Sequence, residues 1–274
     1  MNQDFDRIYH FHIRKTGGSS LDSAFWALGG GDLADAAVRE GRYGSSVTRD
    51  GRTFVQHDRA LIAAGDYFFA SSHEPSYELD LPPRTLTITI LRDPAARVVS
   101  YFRYLLWARA NPRAHEIEPF VGQVRTESAF LDGPARYFVS RLLPRFPLPH
   151  GDFSVDRFPE FLERAPRRRL MSQLHMFSPG FDPAEAAERA LGCAEICFTE
   201  TFSEDLSRIA RRLGLPLEEK RERQLGERLE LPEEWREELR QRLAPEYAML
   251  DLVNRGLAER RGLQGDRPVA VRNR

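Results

Sequence analysis

Residues 12–20, His-Ile-Arg-Lys-Thr-Gly-Gly-Ser-Ser, crowd a lysine, three hydroxyls and two adjacent glycines into one short stretch. Adjacent glycines let backbone N–H groups converge, and where such a loop opens a helix the positive end of the helix dipole points at the same spot. An anion is the natural occupant. Lys15 would add a formal charge, and Thr16, Ser19 and Ser20 would add hydroxyl donors. A plain glycine turn with a solvated lysine is the alternative. Against it stands the chain's own usage: of 40 Lys and Arg side chains, all but Lys15 and Lys220 are arginine. A lysine inside the anion loop therefore marks a need for a compact, proton-donating ammonium in place of an interchangeable charge. The order of residues also argues against one common chemistry. The nucleoside-triphosphate loop G-x-x-x-x-G-K-[ST] places its lysine after the first glycines, whereas here it precedes them. No acidic strand end stands ready for magnesium either, so neither a kinase nor a metal is expected.

A second group lies at Leu91-Arg92-Asp93-Pro94-Ala95-Ala96-Arg97-Val98-Val99-Ser100-Tyr101. Arg92 ends an apolar run and Ser100 falls two turns into the helix that follows. Both can thus reach an anion over the carboxyl edge of a sheet, where ligands of open α/β sheets bind. A surface Arg92 paired with Asp93, with Ser100 facing water, is the alternative. The third candidate is a histidine. Of the seven in the chain, His10 and His12 share one side of a strand and serve packing or the orientation of the loop. His57, His115, His150 and His175 fall in weakly patterned stretches and read as surface residues. His73 instead directly follows the apolar run at 66–71, at the sheet edge that the loop shares, where an imidazole can act as a general base. A lone histidine is more often structural, and Glu74 is the second choice for a base or an acceptor-orienting group.

These residues need elements to hold them. Residues 7–13 alternate apolar and polar, 66–71 and 85–91 are short apolar runs bounded by Gly, His and Pro, and 195–199 is a fourth run of that kind, so all four read as strands. Helices follow: one from Ser20 onward, one from Pro94 to Ala110 with Val98, Tyr101, Phe102, Leu105 and Leu106 at helical spacing, and one over 207–213 behind a Ser203 cap. Strands alternating with helices predict an α/β domain with a parallel sheet covered on both faces. Residues 111–180 predict short helices and loops, with 110–150 an irregular segment. The C-terminal third is helical, with starts at Pro232 and Ala244 and a frayed tail over 262–274.

Composition closes off other classes. With 41% hydrophobic residues in 274, the chain can fill one large core, and no repeat or low-complexity linker divides it, so residues 1–274 read as a single domain. Forty basic residues against 41 acidic leave a net charge of −1, which argues against nucleic acid or an anionic membrane as partner. No stretch approaches the roughly 18 apolar residues of a spanning helix, and Met1–Arg7 lacks the features of a leader. Cys193 and Cys197, four apart, make neither a disulfide framework nor a C-x-x-C metal pair. A soluble, unsecreted chain in a reducing cytoplasm is the expectation.

With the residues in view, a resemblance becomes specific. His12-Ile13-Arg14-Lys15-Thr16-Gly17-Gly18-Ser19-Ser20-Leu21 is similar to the H-I-P-K-T-G-G-T-S-L signature of sulfotransferases that use 3′-phosphoadenosine 5′-phosphosulfate (PAPS). Residues 91–101 resemble that family's L-R-D-P-x-x-R-x-x-S-x-Y element, and Phe198–Leu215 resembles a third stretch of the branch that includes heparan-sulfate 2-O and 6-O sulfotransferases and bacterial relatives. The likeness covers residue 8 to about 215, thinly between 105 and 165. It implies a P-loop NTPase-like central parallel sheet flanked by helices, and transfer of a sulfuryl group from PAPS, without a metal, to a hydroxyl of a carbohydrate or glycoconjugate. A tyrosine, polyketide or other small-molecule hydroxyl is the alternative acceptor, and a non-catalytic nucleotide-binding module is the alternative class. The implied roles fall residue by residue: Arg14, Lys15, Thr16, Gly17, Gly18, Ser19 and Ser20 cradle the phosphosulfate, Arg92 and Ser100 take the 3′-phosphate, and Lys15 also steadies the leaving oxygen. His73 matches the family's G-H element, with Ser72 in place of the glycine, and is the implied base. Arg14 departs from the family's proline, which leaves open the loop's entry conformation and an extra contact to donor or acceptor. Gln173 and the turn Thr199–Phe202 are implied near the adenine, where helix packing explains them almost as well, and Lys220 and Arg221 near the 3′-phosphate.

Overall fold

Residues 5–30, 45–110, 154–219 and 229–264 are described by the computed structural model. The strands β1 (Arg7–Phe11), β2 (Ser45–Arg49), β3 (Arg52–Gln56), β4 (Phe69–Ser72), β5 (Thr85–Leu91) and β6 (Glu195–Phe198) form one sheet in the order β2-β3-β4-β1-β5-β6. Every neighbouring pair is parallel except the β2–β3 hairpin. β1 lies in the middle, with His10 opposite Ser71 of β4 and Ile88 of β5. The chain leaves β1 toward β3 and leaves β5 toward β6, in opposite directions along the sheet. A crevice therefore opens between the carboxyl ends of β1 and β5, the switch point at which open α/β sheets bind ligands.

Four helices follow strands directly or nearly so: α1 (Gly18–Trp26), α2 (Arg59–Ala64), α3 (Pro94–Ala110) and, after a run of short elements, α8 (Phe202–Leu213). Between α3 and α8 lie the described helices α4 (Phe158–Arg164), α5 (Arg167–Leu170), α6 (Ser172–Phe177) and α7 (Pro183–Leu191), and the chain closes with α9 (Glu233–Arg242) and α10 (Ala244–Gln264). Period-two alternation sends Ile8 to one face of the sheet, against Leu21 and Phe25 of α1 and Leu206 and Ile209 of α8. Tyr9 and Phe11 point the other way, to Leu174 and Phe177 of α6, Ala186 of α7 and Met249 of α10. A third cluster joins Val98, Phe102 and Leu105 of α3 to Phe158, Phe161 and Leu243. Each fully buried Phe or Leu removes enough apolar surface from water to contribute about 1.5 to 3 kcal/mol.

Several boundaries differ from the sequence expectation. β1 stops at Phe11 because the chain turns into the loop there, although the His12 N–H still bonds the Ser72 carbonyl at 2.9 Å. The β2–β3 hairpin is an addition: Asp50-Gly51, both at positive φ (49° and 73°), make the tight turn that matches strand twist. Ser203 is no cap. It lies one residue inside α8 and its hydroxyl bonds Glu219, while Asp205 reaches back to the Phe198 N–H at 3.0 Å and takes the Thr201 hydroxyl at 2.7 Å. Gly262 does not begin a frayed tail, since α10 runs on to Gln264. Residues 265–274 and most of the segment at 110–150 lie outside the described residues. Among the described residues no helix is long and apolar enough to cross a membrane.

Candidate active site

The loop between β1 and α1 is braced from within. Thr16, fully buried, donates its hydroxyl to the Ile13 carbonyl at 2.9 Å, so it holds the turn and offers an anion only its N–H. Lys15 and Gly17 take left-handed backbone, φ 69° and 93°, which is free for the glycine and strained for the lysine. Gly17 occupies the cap position of α1 without a side-chain cap, leaving the N–H groups of Gly18 and Ser19 without an intrahelical partner at the positive end of the helix. Ser19 is exposed and Ser20 half-buried. Gly18 is required for a different reason: a Cβ there would stand 2.2 Å from the His12 ring.

The carboxyl end of β5 is clamped onto this loop. Arg92 donates Nη1 to the Lys15 carbonyl at 3.1 Å, and its own N–H and C=O are both taken by the amide of the buried Gln173, at 2.7 and 3.0 Å. Thr199 adds a second tie, its hydroxyl lying between the Thr16 and Leu91 carbonyls. Gln173 and Thr199 thus serve the junction of strand and loop, a structural role for two residues expected at the adenine. Glu200 accepts from the Asp93 N–H at 3.0 Å. Lys220 and Arg221 lie outside the described residues.

Asp93 does not spend itself on Arg92. One oxygen caps the Ala96 N–H at 2.7 Å and the other takes the Tyr247 hydroxyl at 3.0 Å, so Asp93-Pro94 is a helix start for α3. On α3, Tyr104 lies under the Lys15 ammonium, Nζ 4.2 Å from the ring centre. Ser100, four residues earlier, shares that helix face and is half-exposed. Arg97 is instead fully buried beneath α3, donating to Ser172 Oγ at 3.2 Å and to the Arg169 and Leu170 carbonyls, and it lies 3.8 Å from the buried Glu246 carboxylate. Glu246 in turn accepts from the Gln173 N–H at 2.7 Å. Burial raises the Glu246 carboxyl against the opposing pull of Arg97. Burial also pushes the half-buried Arg92 guanidinium down, with Glu200 and Asp93 opposing it.

On the other side of the crevice stands a column of imidazoles. Ring centres are 5.0 Å apart for His10 and His12, 4.6 Å for His12 and His73, and 4.7 Å for His73 and His57. His73 Nδ1 lies 2.5 Å from the His12 carbonyl. A carbonyl can only accept, so Nδ1 carries the proton and Nε2 keeps the lone pair. Burial, then the nearby Arg14 charge and the two flanking rings, hold His73 well below the usual histidine range, and it is neutral at pH 7. Ser72, where the related pattern has glycine, bonds the Tyr9 hydroxyl at 2.7 Å and accepts from the Glu74 N–H at 3.1 Å. Glu74 is half-buried next to the ring.

Two histidines are not the surface residues expected. His57, half-buried at φ 56°, covers His73, and burial pushes its pKa down to about 4. His175 bonds the Tyr77 hydroxyl at 3.0 Å and stacks on Phe181. His115 and His150 lie outside the described residues. At the buried end of the column His10, His12 and Asp22 form the one described group whose potential metal-ligand atoms lie within 4.8 Å of one another. Asp22, Tyr104 and Glu246 were missed in the sequence. Asp22 had a signal: with Gly18, Leu21 and Phe25 it lies on the apolar face of α1, where an acid must have a partner.

No model of a known protein family matches the chain, and no curated protein matches it. The chemistry must be read from the site. A helix N-terminus and two cations, Lys15 and Arg92, surround the mouth of one crevice, and a neutral imidazole with a bare Nε2 stands on its other side. That set can hold a polyanion and take a proton from a hydroxyl beside it.

Proposed function

We propose that the protein is a PAPS-dependent O-sulfotransferase with a P-loop NTPase-like sheet, acting on a hydroxyl of a carbohydrate or glycoconjugate. The observation that carries the reading is the meeting of three distant segments at one loop: Arg92 holds the Lys15 carbonyl, and His73 is held by the His12 carbonyl. The order of the parallel strands, with the loop after the central β1 at the switch point, supports the P-loop-like assignment.

In this reading Arg92 and Ser100 bind the 3′-phosphate of the donor, and the first-turn N–H groups of α1 with Lys15 bind the phosphosulfate. His73 Nε2 takes the proton of the acceptor hydroxyl as its oxygen bonds to sulfur. Lys15 leaves Tyr104 to meet the bridging oxygen, where negative charge grows as the sulfur–oxygen bond breaks and adenosine 3′,5′-bisphosphate departs. Thr16, Gln173 and Thr199 keep the loop rigid, so little reorganisation accompanies the step.

The test is transfer of labelled sulfate from PAPS to a panel of hydroxyl acceptors, carbohydrates first and phenols and polyketides beside them, together with titration of adenosine 3′,5′-bisphosphate. Transfer to a sugar hydroxyl is expected. Transfer to phenols alone would move the acceptor class, and tight nucleotide binding with no transfer would leave a binding module. Stabilisation by ATP with magnesium, but not by PAPS, would overturn the reading.

A further inference from the structure

Asp22 sits inside the protein, on the face of α1 that packs against β1. Burying a carboxylate is costly unless its oxygens are matched. Here Oδ1 lies 2.7 Å from His10 Nδ1, Oδ2 lies 3.0 Å from His12 Nδ1, and Ser71 of β4 donates to Oδ2 at 3.1 Å. Burial opposes ionisation, yet the two imidazoles beside it hold the Asp22 carboxyl below its ordinary range. An ionised carboxylate only accepts, so His10 Nδ1, bonded to it, carries its ring proton, whereas His12 Nδ1 stands at ion-pair distance from the other oxygen without hydrogen-bond geometry. From His12 two links run on to His73: the rings are 4.6 Å apart, and the His12 carbonyl takes His73 Nδ1. One carboxylate thus bolts α1, β1 and β4 together one contact away from the base.

We propose that Asp22 is a positioning residue for His73: by locking the His12 ring against β1 and β4 it keeps the His12 carbonyl where it holds His73 in the Nδ1-protonated tautomer. Nε2 thereby keeps its lone pair. The catalytic part of this assignment rests on the reading of His73 as the base, whereas the tautomer part does not. The groups that face the system are few. Asp22 meets His10 from β1, His12 from the loop that follows it and Ser71 from β4, while His73 meets His12, His57 and the Arg14 charge.

Asp22→Asn is nearly isosteric and removes the charge. In the full chain without donor, ¹⁵N shifts of the histidine rings are expected to show His73 protonated at Nδ1 in the wild type and a mixture of tautomers in D22N. Transfer should fall about 10- to 100-fold in kcat, as for loss of an outer partner that orients an imidazole, with donor KM nearly unchanged. The acid limb of the kcat profile should move to lower pH, because a negative charge that favours the imidazolium has gone. Ser71→Ala removes the third partner only and should leave tautomer and acid limb in place. His12→Phe keeps a ring in the column but cuts the link, so it should reproduce the tautomer mixture, and it decides the matter if D22N does not fold. A single Nδ1-protonated His73 in a folded D22N or His12→Phe protein overturns the proposal. So does an unmoved acid limb, or a stoichiometric metal that copurifies with the wild type and is lost in D22N. If the wild type transfers no sulfate, the functional reading falls and the ring shifts still decide the role of Asp22.

Discussion

The two walls of the crevice solve the same problem with different chemistry. The β5 wall fixes Arg92 with an amide, a second guanidinium and a carboxylate in series, Gln173 to Glu246 to Arg97. Its guanidiniums stay charged across the working pH range. The β1 wall fixes His73 with imidazole rings and one carboxylate, Asp22. One wall is a permanent cation frame for an anion. The other is titratable, which is what a group that must take up a proton requires. The difference teaches that binding and proton transfer can be broken separately here.

The largest expected effect is on the titratable wall. His73→Ala should leave affinity for adenosine 3′,5′-bisphosphate nearly intact and lower transfer by about 10² to 10⁴, the usual cost of a lost general base. In the wild type the acid limb should lie below pH 6.5, since burial and Arg14 depress His73. A mutant that keeps most of its activity, or keeps that limb, would pass the role to Glu74. Next comes the cation frame. Glu246→Gln strips Arg97 of its counter-charge inside the protein and should destabilise the fold by about 3 to 5 kcal/mol, read from denaturant unfolding. A loss below about 1 kcal/mol, the scale of a surface pair, would mean that the 3.8 Å pair is idle.

Arg92→Ala should weaken PAPS by about 2 to 4 kcal/mol, as for a charge-assisted contact to a partly buried anion. Adenosine 5′-phosphosulfate, which lacks the 3′-phosphate, should scarcely respond, and equal losses for both would remove that assignment. The last effect is on stability against pH and touches neither binding nor transfer. His57 has a folded pKa of about 4 against about 6.5 unfolded, so its contribution is present above pH 6.5 and is lost as pH falls through 4. His57→Asn should flatten the unfolding free energy across that window, whereas Arg92→Ala should not. Matching slopes in the two variants would erase the contrast between the walls.

Much of the frame was legible because its signals are local. The 85–91 run became β5 with those same ends, and the proline and periodicity at 94–110 gave α3 in full. The loop and Arg92 came together because both follow strands that turn out to be neighbours. What was missed is long-range. Gln173 grips Arg92 and Glu246 grips Gln173 across separate helices, and no local pattern announces either contact. His57 looked like a surface residue because the hairpin before it was overlooked. Asp50-Gly51 was the readable clue there, and strand pairing with β4 is what brings the ring onto His73.

The second glycine of the loop carries a consequence for how the sequence can change. An alanine methyl at position 18 would sit 2.2 Å from the His12 ring and 2.9 Å from the His10 ring, so glycine at 18 is locked to both histidines. A single replacement at 18 must displace two rings, one of them bonded to Asp22, while a prior loss of both opens the space. The three positions therefore have a preferred mutational order: a lineage that first surrenders both rings can drift at 18, and one that retains either cannot. Epistasis among 10, 12 and 18 thus follows from two interatomic distances, apart from anything the loop binds.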